Sequence, residues 1–196
     1  IAICLQKGLI KGSFVPDVAI QRLRQYNRRI FDLNKDISYK LTKLDMALQR
    51  CNIRISNYIS STDSKSYKKV VEKLASGLTD PQELEKCIHG RTVNRFGKDI
   101  ITASLTGVIN ETDIDIMSQL KSEIDLAERH KSECLMKMRE ICMENYPEQL
   151  ENIKSIPGIK EQSATSIIAE VGVDMKMFLT AAAIVSWCGL RPRNEE

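Results

Sequence analysis

The sequence predicts an all-α protein. Two long stretches place apolar residues at alternating steps of three and four, the spacing of one helix face. Aromatic residues make up only 5% of the chain, and it holds nine Gly and five Pro, while Leu, Ile, Lys, Glu, Ser and Arg abound. That is the composition of helix bundles and not of sandwiches or barrels. With 196 residues, 42% hydrophobic and 28% charged, the chain is too apolar for a disordered tail and long enough for one or two modest domains.

Gly8 to Pro16 reads as a linker, and Pro16-Asp17 as a helix start. From there Ile20, Leu23, Asn27, Ile30, Asn34, Ile37, Leu41, Leu44, Leu48, Cys51 and Ile55 form a heptad seam. Such a helix extends more than about 50 Å, too long for a compact globule, so it requires a long partner. The segment from about Asp113 to Asn145 supplies one, with Met117, Leu120, Ile124, Ala127, Lys131, Cys134, Met138 and Ile141 on its seam. Antiparallel pairing brings Lys131 near Asn34 in a polar layer that sets register at some cost in stability. The rival arrangement is a dimeric coiled coil in which each seam meets its own copy.

Between the long helices, Ser56 to Asn110 is cut by Gly77, Thr79-Asp80-Pro81, Gly90, Gly97 and Gly107 into two or three short helices. Asp80 reads as an N-cap with Pro81 at the first helical position. Tyr146-Pro147 ends the second long helix. The expected organisation is a linker at 1–16, a long antiparallel coiled-coil hairpin at 17–146 with a helical tip insertion at 56–112, and a small C-terminal helical domain at 147–196.

Net charge is only +3, so its distribution matters more than its sum. From Ile1 to Ile55 eleven basic residues face four acidic ones, a surplus of seven that leaves the remainder acidic by four. Six cysteines are scattered with no C-x-x-C pair and no His cluster at ligand spacing, which argues against zinc and for buried free thiols in a reducing compartment. No signal peptide or membrane span is visible, and a cytoplasmic protein is expected.

The most specific local pattern is Leu150-x-x-Ile153-x-x-Ile156-Pro157-Gly158-Ile159-Lys160-x-x-x-Ala164, closing at Gly172. It resembles a helix-hairpin-helix, a motif whose tight turn aims backbone N–H groups and a helix N-terminus at a phosphate without reading bases. Gly158, Ile159 and Lys160 are its candidate contacts. Where the motif usually has a second Gly this chain has Lys160, which strains a left-handed residue but adds a cation. The plain alternative is a turn that serves packing alone. A second feature is a basic stripe: with Ile20 at heptad position a, Arg22, Arg29, Lys43 and Arg50 all fall at c, opposite the seam. They suit phosphates, and a solvated exterior is the competing explanation. His89, Arg91, Arg95 and Lys98 form a third basic cluster, open to RNA or DNA or merely to solvent. Glu111, Asp99, Asp113 and Asp115 form no carboxylate cluster, and no Ser or Thr is paired with a base. After a helix capped by Thr180, Arg191 and Arg193 lie on a Pro-stiffened loop suited to phosphate contact, and Trp187 is expected in the core.

Gly8-Leu9-Ile10-Lys11-Gly12-Ser13-Phe14-Val15-Pro16 followed by Ile20-x-x-Leu23-Arg24 resembles the join after the RuvC-like domain of insertion-sequence one-ten (Piv-like) transposases. Ile156-Pro157-Gly158-Ile159, Ala169-Glu170-Val171-Gly172 and Ser186-Trp187-Cys188-Gly189-Leu190-Arg191-Pro192 resemble that family's C-terminal domain. The resemblance implies an enzyme that cuts and rejoins DNA with Mg²⁺-binding acidic residues and a serine, in many members directed by a bridge RNA. It implies further that residues 1–16 link to an upstream catalytic domain, that the acidic residues precede Ile1, and that the serine follows Glu196. The chain, which opens at Ile1 without Met, is then expected to be an internal piece with no complete active site and no cofactor of its own. It would bind DNA, possess a homo-oligomerising coiled coil, and lack a membrane partner. The alternative is a non-enzymatic coiled-coil scaffold with a helix-hairpin-helix DNA-binding module.

Overall fold

The computed structural model describes residues 3, 6–8 and 15–187. Among these the protein is all-α, with no strand, as composition and periodicity predict. The helices are α1 (Val18–Arg50), α2 (Lys65–Ala75), α3 (Pro81–Glu85), α4 (Gly90–Phe96), α5 (Lys98–Ser104), α6 (Glu111–Asn145), α7 (Pro147–Lys154), α8 (Glu161–Val171) and α9 (Ala181–Trp187). Short 3-10 turns occupy Ile55–Asn57 and Met175–Met177. The chain forms two compact units, one of Ile1–Ile30 with Glu133–Glu196 and one of Phe31–Ser132.

Local chemistry sets the ends of the long helices. Asp17 caps α1, its Oδ1 accepting from the Ile20 N–H at 2.9 Å. The helix closes through Asn52, whose φ of 64° is the left-handed conformation Asn tolerates, while the Ile53 N–H donates back to the Leu48 carbonyl at 2.9 Å. It therefore stops short of Ile55, the last residue of the predicted seam, although Ile53 and Ile55 are both buried. At the start of α6, Asn110 Oδ1 accepts from the Asp113 N–H at 2.9 Å and Asp113 Oδ2 accepts from the Asn110 N–H at 3.3 Å. This reciprocal pair satisfies two N–H groups that the helix leaves unbonded.

In the first unit, Ile20, Leu23 and Ile30 of α1 share a core with Met138, Ile141 and Cys142 of α6, Leu150 of α7, and Ala164, Ile168 and Ala169 of α8. Each large aliphatic side chain buried here contributes roughly 1.5–3 kcal/mol. The Tyr146 hydroxyl donates to Asp17 Oδ1 at 2.6 Å, joining the end of α6 to the start of α1 and making the two stretches antiparallel.

In the second unit, Leu33, Ile37, Leu41, Leu44 and Leu48 of α1 are buried, as are Met117, Ile124 and Ala127 of α6. Ion pairs Lys40–Glu123 at 2.9 Å and Arg50–Asp113 at 3.3 Å set an antiparallel register there too. The seam differs from expectation at one layer: Asn34 is exposed and Leu33 is buried. A straight helix of 3.6 residues per turn drifts by roughly 20° per heptad, enough to bring the neighbouring apolar residue inward. No polar layer forms around Asn34, and Lys131 is half-buried. The segment between the long helices forms four helices, not two or three, and buries Tyr67, Val70, Val71, Leu74, Leu84, Ile101 and Leu105. Asp80 caps α3 through the Gln82 N–H, with Pro81 opening the helix. Gly107 is obligatory for a close approach, since a Cβ there would meet the Cys51 carbonyl oxygen at 2.2 Å.

Candidate nucleic-acid interface

Helix α7 begins on Pro147 and ends at Lys154, and the chain turns through Ser155–Lys160 into α8. Three features build that turn. Ile159 donates its N–H to the Ile156 carbonyl at 3.1 Å, closing it. Gly158 sits at φ 90°, a conformation that side-chain-bearing residues rarely adopt, with nothing within 4 Å of where a Cβ would stand. Ile153 and Ile159, both partly buried, pack against the core while Ala164, fully buried, keeps α7 and α8 close. The apolar residues thus anchor the turn from beneath and leave Pro157, Gly158 and Lys160 exposed.

Lys160 is the residue before α8, at φ −94° and ψ 168°. It is extended and unstrained, so the expected cost of Lys at a left-handed position does not arise; Gly158 alone takes the positive φ in this turn. No side chain caps α8, which leaves its first N–H groups open at the positive end of the helix dipole. Glu161 lies in that first turn, and Arg139 Nε neutralises it from α6 at 2.7 Å. Lys154 is held by Glu151 at 2.7 Å. Among the described residues Lys160 makes no ion pair, and its charge is available at the mouth of the turn.

The other predicted contacts are dispersed. Arg22 and Arg29 are exposed on the part of α1 in the first unit and make no hydrogen bond or ion pair to the turn. Lys43 and Arg50 are exposed on the part in the second unit, where Lys43 lies 5.4 Å from the Tyr39 ring centroid and Arg50 is engaged by Asp113. Arg191 and Arg193 lie outside the described residues.

Sequence reasoning missed the group that locks the far end of α8. Arg24 Nε donates to the Ala169 carbonyl at 2.9 Å and its Nη2 to the Glu170 carbonyl at 3.1 Å. Asn27 Nδ2 donates to Glu170 Oε1 at 2.8 Å and Asn27 Oδ1 accepts from the Ser166 hydroxyl at 3.0 Å. Trp187, expected in the core, is 50% exposed; its Nε1 donates to the Glu170 carbonyl at 2.9 Å, and the Arg24 guanidinium lies 5.7 Å from its ring centroid. The available signal was the absence of any basic residue in the last turn of α8, which leaves terminal carbonyls for a cation from elsewhere.

Among the described residues no three His, Cys, Asp or Glu side chains are grouped so as to hold a metal ion. Among the same residues no helix is long and apolar enough to cross a membrane.

Residues 150–196, which include α8 and the turn before it, match the family model described as Transposase IS116/IS110/IS902 family. The match bears out the resemblance drawn from the C-terminal motifs and supports a transposase-related function. No curated protein and no solved structure matches the chain.

Proposed function

We propose that this chain, whose C-terminal quarter carries the match to a transposase family, grips duplex DNA by its phosphates through the turn between α7 and α8. The observation that carries the reading is the N-terminus of α8 without a side-chain cap, entered through Gly158 at φ 90°, with Lys160 beside it making no ion pair among the described residues. Open N–H groups, a helix dipole and a cation converge on one exposed spot, which suits a phosphate oxygen and discriminates no base. Arg191 and Arg193 extend this contact set in the proposal, and Arg22, Arg29, Lys43 and Arg50 add longer-range attraction along α1. The helix-hairpin-helix name belongs to the same proposal.

Strand cleavage and rejoining are the family's chemistry. In this proposal the chain as given binds DNA without cutting it, uses no cofactor of its own, and self-associates through its long helices. Phe31, Tyr39 and Met46, each more than half exposed on α1, support self-association. A structured guide RNA, implied by the family resemblance, is a further ligand in this reading.

The test is a gel-shift titration of a random-sequence duplex over a range of salt. Lys160→Glu should weaken binding about tenfold and lower the salt slope by about 1, whereas the exposed control Lys65→Glu should change little. Equal binding by the wild type and Lys160→Glu would remove the turn from the interface. Incubation of the duplex with the chain and Mg²⁺ should leave it intact, and light scattering should report a mass above that of one chain.

A further inference from the structure

A second basic cluster lies in the unit of Phe31–Ser132 and shares no residue with the turn between α7 and α8. Of the four basic residues His89, Arg91, Arg95 and Lys98, the fold itself uses two. His89 Nδ1 accepts from the Arg91 N–H at 3.2 Å and so caps α4, while Lys98 pairs with Glu85 at 3.5 Å. Arg91 and Arg95 remain, both exposed and without an ion pair among the described residues. They are four apart on α4, which places them on one helix face, and both line an open cleft of about 390 Å³.

The rest of that cleft is as selective as its cations. The end of the first 3-10 turn and the residues after it also contribute, bringing Asn57, Tyr58 and Ser60 to the lining. The Tyr58 and Phe96 rings meet edge to face with centroids 5.3 Å apart, and the Arg95 guanidinium lies 5.0 Å from the Phe96 centroid. No carboxylate lines the cleft. Two guanidinium groups, an aromatic pair and neutral hydrogen-bonding side chains thus surround a volume within the range of small-ligand sites, about 300–1,000 Å³.

We propose that this cleft binds an unpaired nucleotide of a single-stranded nucleic acid, with the phosphate held by Arg91 and Arg95 and the base against the Tyr58–Phe96 pair. Guanidinium groups match phosphate oxygens in geometry and charge. Aromatic faces accept any base by stacking, but only when that base is free of its duplex partner. An acidic peptide would use the cations and leave the rings without a role, and a duplex would present phosphates and no base face. The shared chemistry is the phosphate with its unstacked base, which DNA and RNA strands both offer.

Fluorescence anisotropy of the full chain with labelled oligo(dT) and oligo(U), across a salt series, tests this. The Arg91→Gln/Arg95→Gln double variant should bind both strands about tenfold more weakly and lose roughly 1.4 from the salt slope. Its melting temperature should change little, since neither guanidinium holds an ion pair among the described residues. Tyr58→Leu should weaken binding about fivefold or more with the salt slope retained, because stacking is lost and phosphate contacts are not. Duplex binding should be unaffected by the double variant and weakened by Lys160→Glu, with the reverse pattern for single strands, so failure at one site is distinguishable from failure at the other. Retention of oligo(dT) over oligo(U), or the opposite, supports the proposal either way and identifies the strand. Wild-type affinity for single strands in the double variant overturns it. So does displacement of the strand by polyglutamate as effectively as by unlabelled oligonucleotide at equal charge.

Discussion

The Arg24 guanidinium reaches from α1 to the C-terminal end of α8 and donates to the Ala169 carbonyl at 2.9 Å. Together with its bond to the Glu170 carbonyl, this places a permanent cation where the helix dipole is negative and the last carbonyls lack partners. The opposite end of α8 is the open one that faces the turn. One helix is therefore pinned at its negative pole and left unsatisfied at its positive pole.

Removing that pin should cost stability. Arg24→Ala is expected to destabilise the chain by about 1.5–3 kcal/mol, the range for hydrogen bonds from a charged group, read as a lower urea midpoint at unchanged slope. Arg24→Lys should recover only part of the loss, because an ammonium cannot span two carbonyls as a planar fork does. A midpoint equal to that of the wild type in Arg24→Ala would show that water satisfies those carbonyls equally well.

Tyr146 and Asp17 give a pH-dependent contribution. Burial pushes the Asp17 carboxyl up, but the Tyr146 hydroxyl and the Ile20 and Ala19 N–H groups outweigh it, and the net value falls below the ordinary 3.8. A carboxyl depressed in the folded state adds stability that is complete above its unfolded value and disappears as pH falls through its folded value. Tyr146→Phe should therefore cost about 1 kcal/mol near neutral pH, and the gap from wild type should close below 3.8. Chemical denaturation at a series of pH values measures this. A gap that persists undiminished in acid would assign the effect to the hydroxyl irrespective of the charge on Asp17.

Gly158 should resist substitution although the space beside it is empty. Its φ of 90° makes Gly158→Ala unfavourable by about 1 kcal/mol or more through backbone strain alone. The same variant should weaken duplex binding if the N–H groups of the turn point at phosphate. An unchanged melting temperature and unchanged affinity would together deny the turn both its conformation and its role.

The thiols should separate by depth. Burial pushes the Cys142 thiol up to about 11, and the nearby Glu161 carboxylate adds to this; burial likewise raises that of Cys51, with Asp113 contributing. Both are buried, whereas Cys87 is half-buried. Because the thiolate is the reactive form, alkylation at mildly alkaline pH should label Cys87 before Cys142 and Cys51, which react only on unfolding. Mass spectrometry of timed digests follows this order. Early labelling of Cys142 would mean that α6 and α8 separate readily.

Much of the fold was legible in sequence because helix formation is local. Apolar spacing located α1 and α6, Pro16-Asp17 and Tyr146-Pro147 marked their boundaries, and Asp80 and Thr180 acted as the caps their positions suggested. The miss at Asn34 arose from treating 3.5 as the period of a straight helix, so that Leu33 was passed over. The candidate turn was readable from Ile156-Pro157-Gly158 because a tight turn is written in consecutive residues. Arg24, Asn27 and Arg139 were not readable as its supports, since each acts on α8 from more than twenty positions away.

What the amino-acid sequence determined unaided was the helical class, the two long helices and the position of a Gly-dependent turn, all consequences of spacing within a few residues. Only the tertiary structure decided which cations are available. Arg24, Arg139, Lys98 and Arg50 are engaged by distant carbonyls or carboxylates, whereas Lys160, Arg91 and Arg95 make no ion pair among the described residues. The physical reason is that a charge is neutralised by whatever folding brings within a few ångströms of it, and its neighbours in the chain do not specify that partner.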